Sequence, residues 1–418
     1  MSFSDMKNTI YGSVPLNWEL TKISEYTNLV TDYVANGSFA SLKKNVQYKK
    51  EEDYAVMIRL ADYNSGYKSD FVFIGEDSYH FLKKSKLFGN EIIISNVGAN
   101  VGTVFKCPKL NYKMSLAPNS IMIKTKGVDD FFFYWFKSKY GQFAIKSIVS
   151  GSAQPKFNKT DFRNLKIPVP PLEEQKAIAA TLSCLDDKIE LNNRMNQTLE
   201  EMAQAIFKSW FVDFEPFQDG EFVDSELGRI PKGWRVGSLG EIIALLDSKR
   251  IPLSKRVREK MHKKYPYYGA TCMMDYVEDY LFDGIYVLLG EDGSVADENG
   301  YPILQYVWGQ FWVNNHAHIL KARLGFSEES LYIFLKNTNV QSIVTGAVQL
   351  KINQKNLKTL KIIIPEEIII KEYNEVIAPL FGKIRKNEDE KKFLTETRNT
   401  LLPKLMSGEV RVPVPEVK

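Results

Sequence analysis

The stretch Gly151-Ser-Ala-Gln154-Pro-Lys156-Phe-Asn158 returns later in the chain as Gly346-Ala-Val-Gln349-Leu-Lys351-Ile-Asn353. The two copies keep glycine, glutamine, lysine and asparagine at the same spacing and lie 195 residues apart. Each runs on through an apolar segment to a proline, Pro170 or Pro365, and then into a long charged segment. A unit that occurs twice in 418 residues predicts two similar domains, because a single core rarely extends over such a length.

The two copies differ mainly in their first halves. Trp18 and Trp234 lie near the start of each copy and are 216 residues apart, whereas Lys124 and Lys321 are 197 residues apart. Nearly all of the difference in length therefore falls before residue 120. Insertions that diverge on a shared scaffold are typical of binding loops. We expect the two domains to differ in what they recognise through these first halves.

Secondary structure follows the same order in both copies. Short apolar runs bounded by Gly and Asn are typical of strands. The predicted strands are residues 91–95 and 285–289, the predicted helices are 130–146 and 328–344, and the predicted closing strands are 165–169 and 360–364. This pattern predicts α+β domains with irregular loops.

A long helical segment follows each copy. Pro171 and the acids Glu173 and Glu174 make a good helix start, because the first turn tolerates proline and its dipole favours acids. Apolar residues then recur in alternating steps of four and three, which is typical of a coiled-coil seam. The seam positions are Ile178, Leu182, Leu185, Ile189, Asn192, Asn196, Leu199, Ala203 and Ile206, and then Tyr373, Ile377, Leu380, Ile384, Asn387, Lys391, Leu394, Arg398, Leu401 and Leu405.

These two helices are predicted to pair antiparallel, with Asn192 beside Asn387. A buried asparagine pair costs stability but fixes the register. Two unrelated amphipathic helices are the alternative, and Pro379 should bend or interrupt the second helix. At 1.5 Å per residue, roughly 35 residues span about 50 Å, on the order of one and a half turns of B-DNA. The register also brings Leu185 beside Leu394 and Leu199 beside Leu380.

The sequence thus divides into four segments. We predict a first globular domain over residues 1–170, a central helix over 171–214, a second globular domain over 215–365, and a distal helix with a C-terminal tail over 366–418. The predicted fold class is α+β, with two globular domains separated by two long antiparallel coiled-coil helices and related by a pseudo-twofold internal repeat.

Composition favours a soluble protein of the cytoplasm. No apolar run approaches the length of a membrane span, and the N-terminus lacks a signal-peptide pattern. The three cysteines, Cys107, Cys184 and Cys272, are too widely spaced for a disulfide framework or a zinc pattern. A reducing cytoplasm is the simplest compartment for such a chain.

Basic residues are concentrated, although the net charge is only +4. Residues 1–172 hold 23 Lys and Arg against 15 Asp and Glu. Such concentrations are either solvated faces or phosphate-binding surfaces, and adjacent tyrosines favour nucleic acid. The densest patch consists of Lys249, Arg250, Lys255, Arg256, Arg258, Lys260, Lys263 and Lys264, followed by Tyr265, Tyr267 and Tyr268.

Motifs of enzyme chemistry are missing from the sequence. There is no phosphate-binding G-x-x-x-x-G-K-[ST] loop, no dinucleotide G-x-G-x-x-G, no H-E-x-x-H and no G-x-S-x-G. The histidines His80, His262, His316 and His318 are too sparse for a site, and the last two point to opposite sides of any strand. We predict no catalytic residue, no metal site and no cofactor in this chain.

Several motifs resemble a known family, the specificity subunits of type I restriction-modification systems. Pro170-Pro-Leu-Glu-Glu-Gln175 and Lys208-Ser-Trp210-Phe-Val-Asp213 resemble its central conserved region, as does the segment from Ser225 to Trp234. Leu401-Leu-Pro403-Lys-Leu-Met-Ser-Gly408 resembles the end of its distal conserved region. The resemblance covers essentially the whole chain.

The resemblance implies that each globular domain recognises one half of a bipartite, asymmetric DNA sequence. The helix pair would hold the half-sites apart and dock two methyltransferase subunits, which use S-adenosylmethionine to methylate adenine. Two translocase-nuclease subunits, which use ATP and magnesium, would complete the complex. A stand-alone bivalent DNA-binding or scaffolding protein is the alternative, whereas the motif search disfavours an autonomous nuclease.

Candidate DNA contacts come from both halves of each copy. Glutamine can pair bidentately with adenine, and lysine can reach phosphate or guanine. The repeated loop is otherwise a structural turn, and side chains shared by both copies cannot alone distinguish two half-sites. We therefore give Gln154, Lys156, Gln349 and Lys351 a general contact role. The candidates for specific contacts are Lys43, Lys44, Lys49, Lys50 and Arg59 in the first domain and Lys249, Arg250, Lys255, Arg256, Arg258 and Tyr268 in the second.

An aromatic cluster ends the first long helix. Trp210, Phe211 and Phe214 either pack against the second domain or anchor a methyltransferase subunit.

Overall fold

The computed structural model describes residues 6–68, 70–346 and 348–413, which form two compact units. Unit 1 contains the chain up to Glu190 together with the residues from Glu390 onwards, and unit 2 runs from Leu191 to Asp389. The boundary cuts through both long helices, so each unit contains one globular part and a portion of each helix. The C-terminal residues thus belong to the same unit as the N-terminal domain.

Unit 1 is an α+β domain with thirteen strands in its described part. The strands are β1 Met6–Thr9, β2 Gly12–Pro15, β3 Glu19–Lys22, β4 Thr27–Asp32, β5 Tyr48–Lys49, β6 Ala55–Ile58, β7 Val72–Ile74, β8 Lys86–Leu87, β9 Ile92–Ser95, β10 Val104–Lys106, β11 Lys113–Leu116, β12 Ser120–Thr125 and β13 Lys166–Val169. The helices are α1 Ile23–Tyr26, α2 Phe39–Asn45, α3 Leu60–Asn64, α4 Glu76–Phe81, α5 Asp129–Lys137, α6 Lys139–Ser147 and α7 Lys159–Asn164.

Unit 2 contains a second, smaller version of this domain. A long helix, α8 Leu172–Phe211, connects the two. The strands are β14 Phe222–Ser225, β15 Gly228–Pro231, β16 Arg235–Ser238, β17 Ile243–Leu245, β18 Tyr265–Tyr268, β19 Met273–Val277, β20 Phe282–Asp283, β21 Tyr286–Gly290, β22 Leu304–Val307, β23 Gln310–Val313, β24 Ala317–Ala322 and β25 Lys361–Ile364. The helices are α9 Leu239–Ile242, α10 Lys255–Arg258, α11 Glu328–Lys336, α12 Gln354–Thr359 and the second long helix, α13 Glu367–Met406.

The two units share their sheet topology. The order β10-β9-β12-β4 in unit 1 is matched by β22-β21-β24-β17 in unit 2. The order β7-β6-β11-β8 is matched by β19-β18-β23-β20, and in both sheets the central pair is parallel. Unit 1 adds β5 at the edge of its second sheet. The extra elements of unit 1 thus lie before residue 120, where the sequence placed the difference in length.

Two predicted helices are shorter than expected. Residues 130–146 form two helices, α5 and α6, because the Ser138 side chain caps a new helix by accepting a hydrogen bond from Gly141 N. A Cβ atom on Gly141 would lie 2.2 Å from Trp135 O, so only glycine allows this close turn. In unit 2, α11 ends at Lys336, and a 3-10 turn follows at Gln341–Ile343.

The long helices run antiparallel within each unit. In unit 2, Asn192 Nδ2 donates to Asn387 O at 3.4 Å, and Asn387 Nδ2 donates to Asn196 Oδ1 at 2.8 Å. In unit 1, Arg398 bonds Asp186 at 2.6 Å. Asn192 and Asn387 are buried, so the polar layer sits inside the helix pair as the predicted register requires.

Apolar layers flank the asparagines on both sides. Ala203 and Ile377 belong to the core of unit 2 and Ile178 to that of unit 1. The half-buried Leu199 and Leu380 pack against the core of unit 2, and Leu401 packs against that of unit 1. Leu185 and Leu394 are half-buried. Helix α13 is continuous through Pro379, so the interruption that the sequence suggested at this proline does not occur. No helix in the described ranges is long and apolar enough to cross a membrane.

Candidate nucleic-acid interface

The repeated loop has the same backbone closure in both units. In unit 1, Ser150 and Lys156 exchange two backbone hydrogen bonds, at 2.8 and 2.9 Å. In unit 2, Thr345 and Lys351 exchange the same pair at 2.8 and 2.7 Å. The shared sequence therefore encodes one defined loop conformation, used twice.

Each loop is also fixed to the turn after a central strand. Gly98 N donates to Pro155 O in unit 1, and Gly293 N donates to Leu350 O in unit 2, both at 2.9 Å. The backbone of the loop is thus held from both sides. The side chains of the predicted contact residues Gln154, Lys156, Gln349 and Lys351 are exposed.

The loop glycines are required by conformation and by space. Gly151 and Gly346 have backbone φ angles of +87° and +95°, which residues other than glycine rarely adopt. A Cβ atom on Gly346 would also lie 2.1 Å from Gln349 O. The loop cannot close in this way with any other residue at that position.

We expect Gly346→Ala to open this loop and weaken DNA binding by unit 2. The backbone strain alone costs about 1–2 kcal/mol, and the contact with Gln349 O adds to it. Gly293→Ala is the matched control, because Gly293 also has a positive φ, +82°, but has open space around it. Thermal unfolding and DNA titration of both variants measure the effect, and equal losses would show that strain alone decides it.

A buried acid lies beneath the loop of unit 2. Asp247 Oδ2 is 2.6 Å from His318 Nδ1 and accepts a hydrogen bond from Gln354 Nε2 at 2.6 Å. His318 Nε2 donates to Ile352 O at 2.8 Å, inside the repeated stretch. Three segments far apart in the sequence thus meet at one carboxylate.

The hydrogen bonds of His318 define its charge. Both ring nitrogens face acceptors, a carboxylate and a backbone carbonyl, so the arrangement is satisfied by the doubly protonated, cationic ring. Burial raises the pKa of the Asp247 carboxyl, but His318, the backbone N–H of Ile319 and Arg250 together outweigh it, and the pKa lies below its ordinary value. Asp247 and His318 thus form an ion pair with almost no solvent exposure, which we call the acid node of unit 2.

Unit 1 has the same node with different chemistry. Asp32 occupies the position of Asp247, at the end of the edge strand, and it binds Lys159 at 2.8 Å. Lys159 lies 195 residues before Gln354, the spacing of the whole repeat. The acid is therefore paired with Lys159 in unit 1 and with His318 in unit 2, where Arg250 Nη2 also lies 3.6 Å from it. Both nodes hold the helix after the loop against the sheet.

A cavity of about 690 Å³ borders the loop of unit 1. One wall is shared with the repeat and contains Lys156 and Asn158. The other wall comes from the divergent half and contains Phe39, Lys43 and Tyr48. Phe39 is 82% exposed, although apolar rings of this size are usually covered. Divergent and shared residues therefore face one another across the cavity.

The other predicted contacts of unit 1 differ in their surroundings. Lys43, Lys44 and Lys50 are exposed. Lys49 forms an ion pair with Asp53. Arg59 bonds Asp62 at 2.5 Å and donates to Asp70 O at 2.7 Å, so its guanidinium group is largely engaged.

The predicted contacts of unit 2 fall into two groups. Lys249, Lys255 and Arg256 are exposed. Arg250 bonds Glu291 at 2.6 Å, and Arg258 bonds Asp275 at 3.1 Å. These two side chains are 13% and 11% exposed, and DNA contact would first require their ion pairs to break. Tyr268 is half-buried, with its ring edge against Phe311.

Asp247, Glu291 and His318 also place ligand atoms within 4.8 Å of one another. Such a group is able to hold a metal ion. However, Arg250 bonds Glu291 at 2.6 Å, and Lys351 lies 3.3 Å from the same carboxylate. These cations and His318 neutralise both acids and would repel a divalent ion. We therefore interpret the group as structural.

The aromatic residues at the end of α8 pack inside unit 2. Trp210 and Phe211 lie 5.8 and 4.8 Å from the ring centroid of Tyr373. Phe211 and Phe214 contact Trp234 at 5.7 and 5.5 Å. All three rings also retain partial exposure, and their contact with a methyltransferase subunit stays a prediction.

Sequence reasoning missed the acid nodes and the exposed ring of Phe39. Asp32 and Asp247 follow short apolar strands and belong to no motif. The available signal was the internal alignment, which places Lys159 opposite Gln354 at the common spacing. Because Lys159 is a cation and Gln354 is an amide, the alignment indicated that the group paired with this side chain differs between the two units.

Comparison with known families explains the two similar units. The family model of the type I restriction modification DNA specificity domain matches residues 15–201 and 231–392, so it matches each repeat separately and most of the chain. The chain belongs to the type I restriction-modification specificity subunits. A specificity subunit has a role in DNA recognition rather than catalysis, in agreement with the missing enzyme motifs.

Individual specificity subunits resemble this one along its length. It is 28% identical to the MjaIX specificity subunit of Methanocaldococcus jannaschii, over 98% of this chain and 97% of that protein. It is 23% identical to the HindI specificity subunit of Haemophilus influenzae, over 61% of this chain and 71% of that one. The crystal structure of the S subunit from M. genitalium shares the fold, with a TM-score of 0.55, 18% identity and coverage of 93% and 96%.

Proposed function

We propose that each unit binds one half of a bipartite, asymmetric DNA site. The observation that carries this proposal is the repeated loop: its backbone is closed identically in both units, and it presents an exposed Gln and Lys each time. The residues beside it differ between the units. A common contact element beside different neighbours suits two half-sites of different sequence.

Recognition is divided between shared and divergent residues. Gln154, Lys156, Gln349 and Lys351 make general contacts. Base-specific contacts come from the divergent first halves of the two recognition domains, which are residues 1–170 and 215–365. The exposed candidates for them are Lys43, Lys44, Lys50, Lys249, Lys255 and Arg256. The candidates that are already bonded or half-buried are Lys49, Arg59, Arg250, Arg258 and Tyr268.

The helix pair sets the length of the spacer between the half-sites. Its asparagine layer fixes the register, so the two helices cannot slide past one another without burying an amide against an apolar layer. The helix surfaces, together with Trp210, Phe211 and Phe214, dock two methyltransferase subunits. Two translocase-nuclease subunits then join the complex in the cytoplasm.

Catalysis in this complex resides in the partner subunits. S-adenosylmethionine, ATP and magnesium bind to them, whereas this chain binds no metal and no cofactor. The family relationship supports this division, since the named relatives are specificity subunits.

Methylome sequencing tests the function most directly. Cells that express this chain with the methyltransferase subunit of its own complex should carry methylated adenine in a bipartite, asymmetric motif. Cells that express the methyltransferase alone should lack that motif. A motif that does not depend on this chain would contradict the proposal, and tight specific binding that is unchanged by the partner would favour a stand-alone DNA-binding protein.

We expect Lys156→Ala to lower the salt dependence of DNA binding without changing the methylated motif. Removing one phosphate contact reduces the slope of log K against log salt by about one unit. Lys166→Ala is a control, because Lys166 is an exposed lysine of the same unit that lies away from the cavity. A changed motif would instead give Lys156 a role in reading bases.

A further inference from the structure

A basic cleft lies beside the edge strand β4 of unit 1. Its cations come from three separate segments: the 3-10 turn together with the first residue of β8, strand β12 and helix α7. The cleft is lined by Lys83, Lys84, Lys86, Lys124, Lys159 and Arg163. No sequence pattern groups these residues, and none of them is among the predicted DNA contacts.

Most of this positive charge is unmatched. Lys159 is paired with Asp32 at 2.8 Å, and Lys124 lies 3.3 Å from Glu91. Lys83 and Lys84 are exposed at the rim. No carboxylate within the described residues lies within 4.0 Å of either lysine. Six cations with two carboxylates produce a strongly positive surface that attracts polyanions.

The cleft adjoins the cavity that borders the repeated loop. Lys159 lines both the cleft and the cavity. The edge of the cleft also carries Phe88, which is 71% exposed. The cavity that contains Lys156 and the cleft that contains Lys83 and Lys84 therefore meet at Lys159.

The equivalent segment of unit 2 has the opposite charge. Leu87 pairs with Met114 in unit 1, and Phe282 pairs with Phe311 in unit 2, which aligns the two short strands at the spacing of the repeat. Gly89 and Gly284 follow them, both with positive φ. In this alignment Glu278 and Asp279 stand where unit 1 has Lys83 and Lys84.

Two other cations of the cleft are also replaced in unit 2, since Lys86 corresponds to Leu281 and Lys159 to Gln354. Lys124 and Arg163 are kept as the cations Lys321 and Lys358, and Lys321 pairs with Glu328 at 3.1 Å. The excess of positive charge is therefore a property of unit 1 and not of the common fold.

We propose that this cleft binds the phosphate backbone of duplex DNA beside the half-site read by unit 1, and that Lys83 and Lys84 each contact a phosphate. The proposal rests on the proposed function, since it needs unit 1 to bind DNA. Phosphate contacts position the protein without reading sequence. Binding by unit 1 thus depends more strongly on salt than binding by unit 2.

Salt-dependent binding of the full chain to a labelled mixed-sequence duplex of about 30 base pairs tests this cleft, with potassium chloride varied from about 50 to 200 mM. The variant is Lys83→Ala/Lys84→Ala. The matched control is Lys139→Ala/Lys146→Ala, two exposed lysines on α6 of the same unit that lie outside the cleft and the cavity. Both variants remove two positive charges.

The Lys83/Lys84 variant should lower the slope of log K against log salt by roughly two and weaken binding about tenfold or more at the lowest salt. The control should change the slope by less than about half a unit. An unchanged slope, or an equal loss in the control, would overturn the proposal that the cleft binds phosphates, while leaving the proposed function intact. Failure of the wild-type chain to bind any duplex, both alone and together with its methyltransferase subunits, would overturn both. The methylated motif should stay the same, and a changed motif would contradict a phosphate-only role.

Discussion

Replacing His318 with leucine will destabilise unit 2 by about 3–5 kcal/mol, the range for breaking a buried ion pair at one partner. His318 has no solvent exposure and Asp247 has almost none, so the carboxylate would stay buried, lose its 2.6 Å partner and keep only Arg250, whose Nη2 lies 3.6 Å away. The bond to Ile352 O would also be lost, which releases the repeated loop from below. Chemical denaturation monitored by tryptophan fluorescence measures the first effect, and DNA titration measures the second.

His316→Leu is the matched control, because His316 is 48% exposed and bonds Asp292 at the surface. Its loss should be below about 1 kcal/mol. The pKa of Asp247 is lowered in the fold, so its contribution is present above the ordinary value of 3.8 and is lost as pH falls through the folded value. The variant and the wild type should therefore converge in stability at strongly acidic pH. Equal effects of the two substitutions at pH 7 would contradict a stabilising role for the buried pair of Asp247 and His318.

Replacing Arg411 with alanine will destabilise unit 1 by about 3 kcal/mol or more, also by leaving a buried charge unpaired. Glu174, at the start of α8, is 3% exposed and bonds Arg411 at 2.6 Å. The same carboxylate accepts a hydrogen bond from the buried Trp18 at 3.1 Å. The C-terminal tail thus closes a polar cluster under the first strands of the chain.

A rescue experiment separates charge from packing in this cluster. Adding Glu174→Gln to Arg411→Ala removes the unpaired charge and should recover part of the lost stability, since an amide still accepts a hydrogen bond from Trp18. Lys404→Ala is the control, because Lys404 lies 4.0 Å from an exposed Glu409. Denaturation midpoints of the four proteins decide the question. The interpretation fails if the single Arg411 variant is as stable as the wild type.

The fold was largely predictable from repetition and periodicity. The repeated loop, the closing strand after it and the seam containing Asn192 and Asn387 are encoded in short segments that occur twice. The predicted helix over residues 130–146 was wrong in one respect, because the cap at Ser138 divides it. Capping depends on the side-chain geometry of a single residue, which apolar periodicity does not report.

The candidate site was predicted less completely. Gln154 and Lys156 are exposed as expected, but Arg250 and Arg258 turn inward to carboxylates from other segments. A run of basic residues in a sequence shows where positive charge is concentrated, but not which way each side chain points in the fold. Which cations face solvent depends on where the acids lie in the folded chain, and Glu291 is 41 residues from Arg250.

Local spacing repeated in two copies is enough to predict the duplication, the common loop and the antiparallel register. The folded chain was needed to find that Asp247 contacts His318, 71 residues away, and that Arg411 completes a cluster with Glu174, 237 residues away. It was also needed to find that Lys83, Lys124 and Arg163 line one cleft. These contacts join segments with no common periodicity. Their energies come from burial and from the pairing of charges, and both exist only after the chain has folded.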